Sequence, residues 1–118
     1  MKLYLIRHGE SECNVKLRLY GRTDCLLTEQ GCRQAREAGA KLRGAGIHRC
    51  ISSPLIRAAE TARLAFMDRS VKIELDDRLM EQDMGLFEDK PFLEMQEQYP
   101  ELVTAMLKDW TKVVPPEG

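Results

Sequence analysis

The chain has 118 residues, 43% of them apolar and 31% charged, which suits one small soluble domain with a single core and argues against wholesale disorder. A net charge of -1 leaves no global electrostatic footprint for nucleic acid. The apolar run at the start, residues 3–6, is too short for a signal peptide or a membrane span, so no membrane partner and a cytoplasmic location are expected.

In chain order, residues 3–6 read as a strand buried on both faces, ending abruptly in Arg7-His8-Gly9-Glu10-Ser11-Glu12. Polar groups at the carboxyl end of a parallel strand are where open α/β sheets place ligands. A loop-rich stretch over 13–27 follows. Thr28 then suits the N-cap of a helix running to about residue 43, with Cys32, Ala35, Gly39 and Leu42 on its apolar face and Gly44 and Gly46 ending it. A short strand is expected over 49–52. Ser53-Pro54 reads as the start of a second helix, to about Met67, burying Ala59, Ala62 and Phe66. Residues 71–75 alternate as a third strand. Beyond a turn-rich segment, 92–98 and 101–110 look helical with a break near Pro100, and Met106 and Trp110 share a face that suits the core. The order β-α-β-α-β predicts a parallel sheet with right-handed crossovers.

Four cysteines, Cys13, Cys25, Cys32 and Cys50, lack C-x-x-C spacing, so no zinc site and four reduced thiols are expected. Charge is uneven along the chain. Residues 1–63 hold 12 Lys/Arg against 6 Asp/Glu, and residues 64–118 hold 6 against 13. A basic first half suits an anionic ligand, although on charge alone chance asymmetry between two solvated faces explains it better.

Chemistry concentrates in two segments. In Arg7-His8-Gly9-Glu10, a neutral imidazole is a competent phosphoryl acceptor. Charge building on the equatorial oxygens needs fixed positive donors, and the guanidinium of Arg7 offers a planar fork that fits phosphate. Gly9 allows close backbone approach. Alone, Arg-His-Gly is more often a setting for a structural histidine. The second segment, Ser52-Ser53-Pro54-Leu55-Ile56-Arg57-Ala58-Ala59-Glu60-Thr61, puts Arg57 in the first turn of a helix, where free N–H groups and the dipole favour an anion. Arg57 is then a second phosphate fork, unless it is an ordinary exposed helix arginine.

These segments, together with Gly21-Arg22-Thr23-Asp24 and Leu27-Thr28-Glu29-Gln30-Gly31, resemble the histidine phosphatase superfamily, the phosphoglycerate-mutase-like proteins, in order and separation along nearly the whole chain. The resemblance implies a three-layer α/β/α fold with a mainly parallel sheet, no metal or other cofactor, and a phosphohistidine intermediate. It implies His8 as nucleophile, Arg7 and Arg57 as holders of the phosphoryl group, Asn14 as a polar phosphate contact, and Glu81 as proton donor. Read from the residues alone, Asp76, Asp77, Glu81 and Asp83 could raise one another's pKa by repulsion, or form a solvated acidic loop.

The family's second pocket histidine has no counterpart, since the other histidine, His48, lies outside any family motif and is expected at the surface. The resemblance therefore implies that residues 1–118 are the N-terminal part of a single domain, incomplete at the C-terminus. Catalysis by it alone should be impaired, and the open edge beside the first strand should drive self-association or lower stability. Cys13, Tyr20 and Phe87 depart from the family's usual residues, the first two beside the pocket. The short segment 81–90 resembles the phosphatase branch, and the Asp109-Trp110 and Val114-Pro115 pairs are similar to α-ribazole phosphatases. The expected function is hydrolysis of a small phosphorylated metabolite. The alternatives are a phosphoglycerate-mutase-type phosphotransferase and a catalytically impaired fragment acting as an interaction protein.

Overall fold

The computed structural model describes residues 1–118 and divides into two units, residues 1–12 with 24–80 and residues 13–23 with 81–118.

In the first unit, helix α2 (Glu29–Lys41) begins where its sequence suggests. The Thr28 hydroxyl accepts the Gly31 N–H at 3.1 Å, satisfying one of the free donors of the first turn. Its inward face is Gly31, Ala35 and Gly39. The helix closes at Leu42, just before Gly44 and Gly46 take positive φ of 79° and 73°. Strand β2 (Arg49–Ser52) pairs in parallel with β3 (Lys72–Leu75), in the register Arg49 to Lys72 through Ser52 to Leu75. Helix α3 (Ile56–Phe66) crosses between them, burying Arg57, Thr61, Ala62, Leu64, Ala65 and Phe66. Ala59 is only half-buried, unlike the expectation.

Residues 3–6 belong to no strand. Leu3 is 79% and Leu5 90% exposed. The apolar pattern is present, but an extended segment gains backbone hydrogen bonds only from a neighbouring ladder, and β2 and β3 pair only with each other. The start of α3 also differs. Leu55, not Ser53, is the N-cap residue, and Ser53 Oγ instead accepts the Leu55 N–H at 3.2 Å. The Ile56 N–H is satisfied by Asp24 Oδ1 at 2.9 Å, so a carboxylate from 32 residues upstream does the capping.

The second unit takes in all but the first residue of the short helix α1 (Glu12–Val15), and its strand β1 (Arg18–Leu19) pairs antiparallel with β4 (Lys90–Pro91). Helices α4 (Phe92–Gln98) and α5 (Pro100–Asp109) follow, broken at Tyr99-Pro100. Its core is Phe87, Met95 and Val103, flanked by Leu19, Met84, Phe92, Tyr99, Leu102 and Met106. Phe87 is fully buried, with its ring centroid 5.3 Å from that of Tyr99 at a tilt of 59°. Met106 joins this core as expected. Trp110 does not: it opens a 3₁₀ turn (Trp110–Lys112), is 62% exposed, and has left the helical face the i, i+4 spacing assumed.

Cys32 and Cys50 are free thiols, while Cys13 and Cys25 are disulfide-bonded, so the expectation of reduced cysteines is corrected for those two. No helix is long and apolar enough to cross a membrane.

Candidate active site

His8 and Gly9 leave the apolar run and enter a loop fastened to both long helices of their unit. Against α2, the Glu10 N–H donates to Gln34 Oε1 at 2.9 Å, the Thr28 N–H donates to the Glu10 carbonyl at 2.9 Å, and the Thr28 hydroxyl lies 2.8 Å from Glu10 Oε1. The backbones of residues 9 and 31 are so close that a Cβ on Gly9 would sit 2.3 Å from the Gly31 carbonyl oxygen. Only glycine permits that approach. Against α3, the Gly9 N–H donates to Thr61 Oγ1 at 3.0 Å, and the Thr61 hydroxyl donates to the Arg57 carbonyl at 2.6 Å. One buried hydroxyl thus joins the residue after His8 to the residue expected to grip phosphate.

The His8 ring is half-buried, and its Nδ1 lies 2.8 Å from the Gly9 carbonyl oxygen. A carbonyl can only accept, so this contact requires the proton on Nδ1. In the neutral ring Nε2 then carries the lone pair. The backbone selects the tautomer that a nucleophilic imidazole needs.

Arg57 is 3% exposed, which removes the ordinary exposed helix arginine from consideration. Arg7 is exposed. The first N–H of the helix is not open to an anion as expected, because Asp24 already occupies the Ile56 N–H. Any anion beside Arg57 relies on the guanidinium more than on that first donor.

In the second unit, the Asn14 amide donates to the Tyr20 hydroxyl. Glu81 is exposed, its Oε1 accepts the Gln82 N–H at 3.0 Å, and its carbonyl accepts from Arg22 Nε at 3.4 Å. The repulsive acidic cluster does not describe Asp76. The Arg78 guanidinium and N–H hydrogen-bond its carboxyl and hold it at about 2. Asp83 Oδ1 accepts the Gly85 N–H at 2.9 Å. His48 is exposed, as expected. No group of three His, Cys, Asp or Glu side chains has an arrangement that could hold a metal ion. A cavity of about 210 Å³ is lined by Arg36, Arg43, Leu64, Ala65, Met67, Asp68 and Arg69, and none of the expected site residues borders it.

Thr61 ends the Ser52–Thr61 segment and had no expected role. The signal was available: Thr61 follows Arg57 by one helical turn, so the two share a face. Gln34 and Asp24 carried no local signal, because their partners are distant in the chain.

The site is thus a polar loop carrying a half-buried histidine, tied by Thr61 to a helix with a buried arginine in its first turn. Residues 3–118 match the model of the histidine phosphatase superfamily (branch 1), and the chain belongs to that family. It is 38% identical over 98 residues to a probable phosphoglycerate mutase, GpmB, of Proteus mirabilis, covering 83% of this chain and 46% of the relative. Its structure is similar to that of a putative α-ribazole-5'-P phosphatase from Escherichia coli, with a TM-score of 0.85, 30% identity, and coverage of 96% of this chain and 56% of the other. It is also similar to mycobacterial glucosyl-3-phosphoglycerate phosphatase, solved as a complex with VO3, with a TM-score of 0.83, 28% identity, and coverage of 91% and 53%. The α/β phosphoglycerate-mutase-like fold is thereby shown. The chain spans about half the length of these relatives.

Proposed function

We infer that this chain carries the phosphoryl-accepting half-site of a phosphatase acting on small phosphomonoesters. His8 Nε2 attacks phosphorus, the alcohol departs with a proton from Glu81, and water then releases phosphate from the phosphohistidine. Arg7 and Arg57 hold the equatorial oxygens, and Asn14 adds a neutral contact. The observation that carries this reading is the His8 Nδ1 contact with the Gly9 carbonyl at 2.8 Å, which leaves Nε2 as the nucleophile. The roles of Asn14 and Glu81 rest on their motif positions. The phosphatases among the structural neighbours support hydrolysis of a small phosphorylated metabolite, and an α-ribazole phosphate is one substrate to assay.

Incubating the chain with a phosphomonoester and searching for acid-labile phosphate on His8 tests the reading. Labelling that survives His8→Ala would exclude it. A mutase reading is favoured by the GpmB relatives. It predicts isomerisation of 3-phosphoglycerate without matching phosphate release. Residues 1–118 are proposed as part of one histidine phosphatase domain, cytoplasmic and without nucleic-acid or membrane partners. The exposed apolar segment 3–6 is proposed to pair with a second copy of the chain.

A further inference from the structure

The carboxylate of Glu88 is the most heavily solicited acceptor in the second unit. Its Oε1 accepts N–H bonds from Gly21 at 3.0 Å, Arg22 at 2.8 Å and Met84 at 2.9 Å. Its Oε2 accepts from the Gly21 N–H at 3.1 Å, the Thr23 N–H at 3.2 Å and the Thr23 hydroxyl. Four consecutive or nearby backbone donors and a hydroxyl therefore converge on one side chain, a concave nest for a negative charge. Three of the four backbone donors, and the hydroxyl, belong to the loop 21–23, 65 to 67 residues away in sequence.

The loop so held lies directly on the segment carrying the proposed acid. A Cβ on Gly21 would fall 1.7 Å from the Gln82 carbonyl oxygen, so the two backbones are in contact, and Arg22 Nε reaches the Glu81 carbonyl. Met84, on the same segment, donates to the same carboxylate. The Glu81 carboxylate is exposed and bonds only to the neighbouring Gln82 N–H, so its own contacts do not fix the backbone that carries it. The 21–23 loop and the Glu88 nest do.

We propose that Glu88 is a positioning residue, clasping the 21–23 loop to residues 81–84 so that the Glu81 carboxyl is presented in one place. The proposal rests on Glu81 being the acid. Burial raises the Glu88 pKa, but the hydrogen bonds from Thr23, Met84, Arg22 and Gly21 outweigh it and bring the carboxyl down to about 2, so the clasp is ionised at neutral pH.

A positioning role separates substrates by leaving group. An alkyl phosphate needs the proton from Glu81, whereas p-nitrophenyl phosphate has a leaving group stable without one. In Glu88→Gln and Glu88→Ala, kcat for the alkyl ester should fall by about tenfold or more, with kcat for the aryl ester and both KM values changed less than about twofold. Amide exchange at Gly21, Arg22, Thr23 and Met84 should accelerate by about tenfold or more, with Met95 and Val103 unchanged. Thr23→Val, which removes one donor, should move every readout the same way by less. Equal losses on both esters, or unchanged exchange at residues 21–23, would overturn the proposal. If the wild-type chain hydrolyses neither ester, the exchange data alone decide whether the clasp exists, and the absence of acid-labile phosphate on His8 overturns the phosphatase reading instead.

Discussion

Thr61 Oγ1 accepts the amide hydrogen of Gly9 at 3.0 Å across 52 residues of sequence, and in doing so it binds the histidine loop to the middle of α3. The same hydroxyl donates back to the Arg57 carbonyl one turn earlier, so both of its hydrogen-bonding roles are filled inside the protein. Replacing Thr61 by valine keeps the shape and strands a buried N–H. We expect a stability loss of about 1–3 kcal/mol, the usual penalty for an unsatisfied buried donor. Phosphorylation of His8 should slow with it. Urea unfolding measures the first effect, and the labelling rate of His8 the second. A variant as stable as wild type would show that the bridge is dispensable.

Asp24 is the remote cap of α3. Asp24→Ala leaves the Ile56 N–H without its acceptor and removes a carboxylate from the positive end of the helix. The expected cost is about 0.5–2 kcal/mol, as for other N-cap losses. Asp24→Asn should recover most of the hydrogen bond but not the charge. Comparing the two by chemical denaturation separates the contributions.

Phe87 is the fully buried centre of the second unit, between Met95, Val103 and the tilted ring of Tyr99. Truncation to alanine should cost about 3–5 kcal/mol, because the transfer term and the cavity term add. Phe87→Leu should cost less than half of that. If the second unit unfolds independently, near-UV signals from Tyr99 should be lost in Phe87→Ala while α2 and α3 keep their far-UV helicity.

The pH response of stability has a defined sign. Folding lowers the Glu88 carboxyl from 4.5 to about 2 and that of Asp76 from 3.8 to about 2. Both groups bind fewer protons folded than unfolded in that window, so their stabilisation is fully present above the ordinary carboxylate range and lost as pH falls toward 2. Urea midpoints for wild type and Glu88→Gln should therefore converge as the solution is acidified. Parallel curves would mean that Glu88 titrates alike in both states.

Legibility from sequence followed the range of the signal. Thr28 as cap, the glycines that stop α2 and the parallel pairing of β2 with β3 are local or periodic features, and the sequence carries them openly. The placement of His8 in a polar loop and of Arg57 in the first turn of α3 was legible because their motifs are contiguous. What stayed hidden depends on a partner far along the chain: Asp24 on Ile56, Thr61 on Gly9, and Glu88 on Gly21 through Thr23. A capping carboxylate and a solvated acid have the same local sequence. The misplaced strand at residues 3–6 has a related cause, since apolarity marks a segment that favours a ladder but does not supply the neighbouring strand.

That segment makes the remaining prediction. Exposure alternates along it, with Leu3 and Leu5 at 79% and 90% and Tyr4 and Ile6 at 41% and 40%, the period of an extended chain with one face open. Burying each open leucine against another surface stabilises a contact by about 1.5–3 kcal/mol, and unpaired backbone groups beside them template strand addition. A second copy presents the same segment and can pair with it about a two-fold axis. Sedimentation should thus show concentration-dependent association of the wild-type chain, shifted toward monomer by Leu5→Lys, which places a charge in the middle of the pairing segment. The double variant Leu3→Lys with Leu5→Lys should be monomeric throughout, with the Thr61 bridge and the His8 labelling rate unchanged, because both side chains are largely exposed and neither takes part in those hydrogen bonds. A wild-type chain that sediments as one monomeric species at every concentration, and melts cooperatively, would mean that this face is tolerated by solvent as it stands.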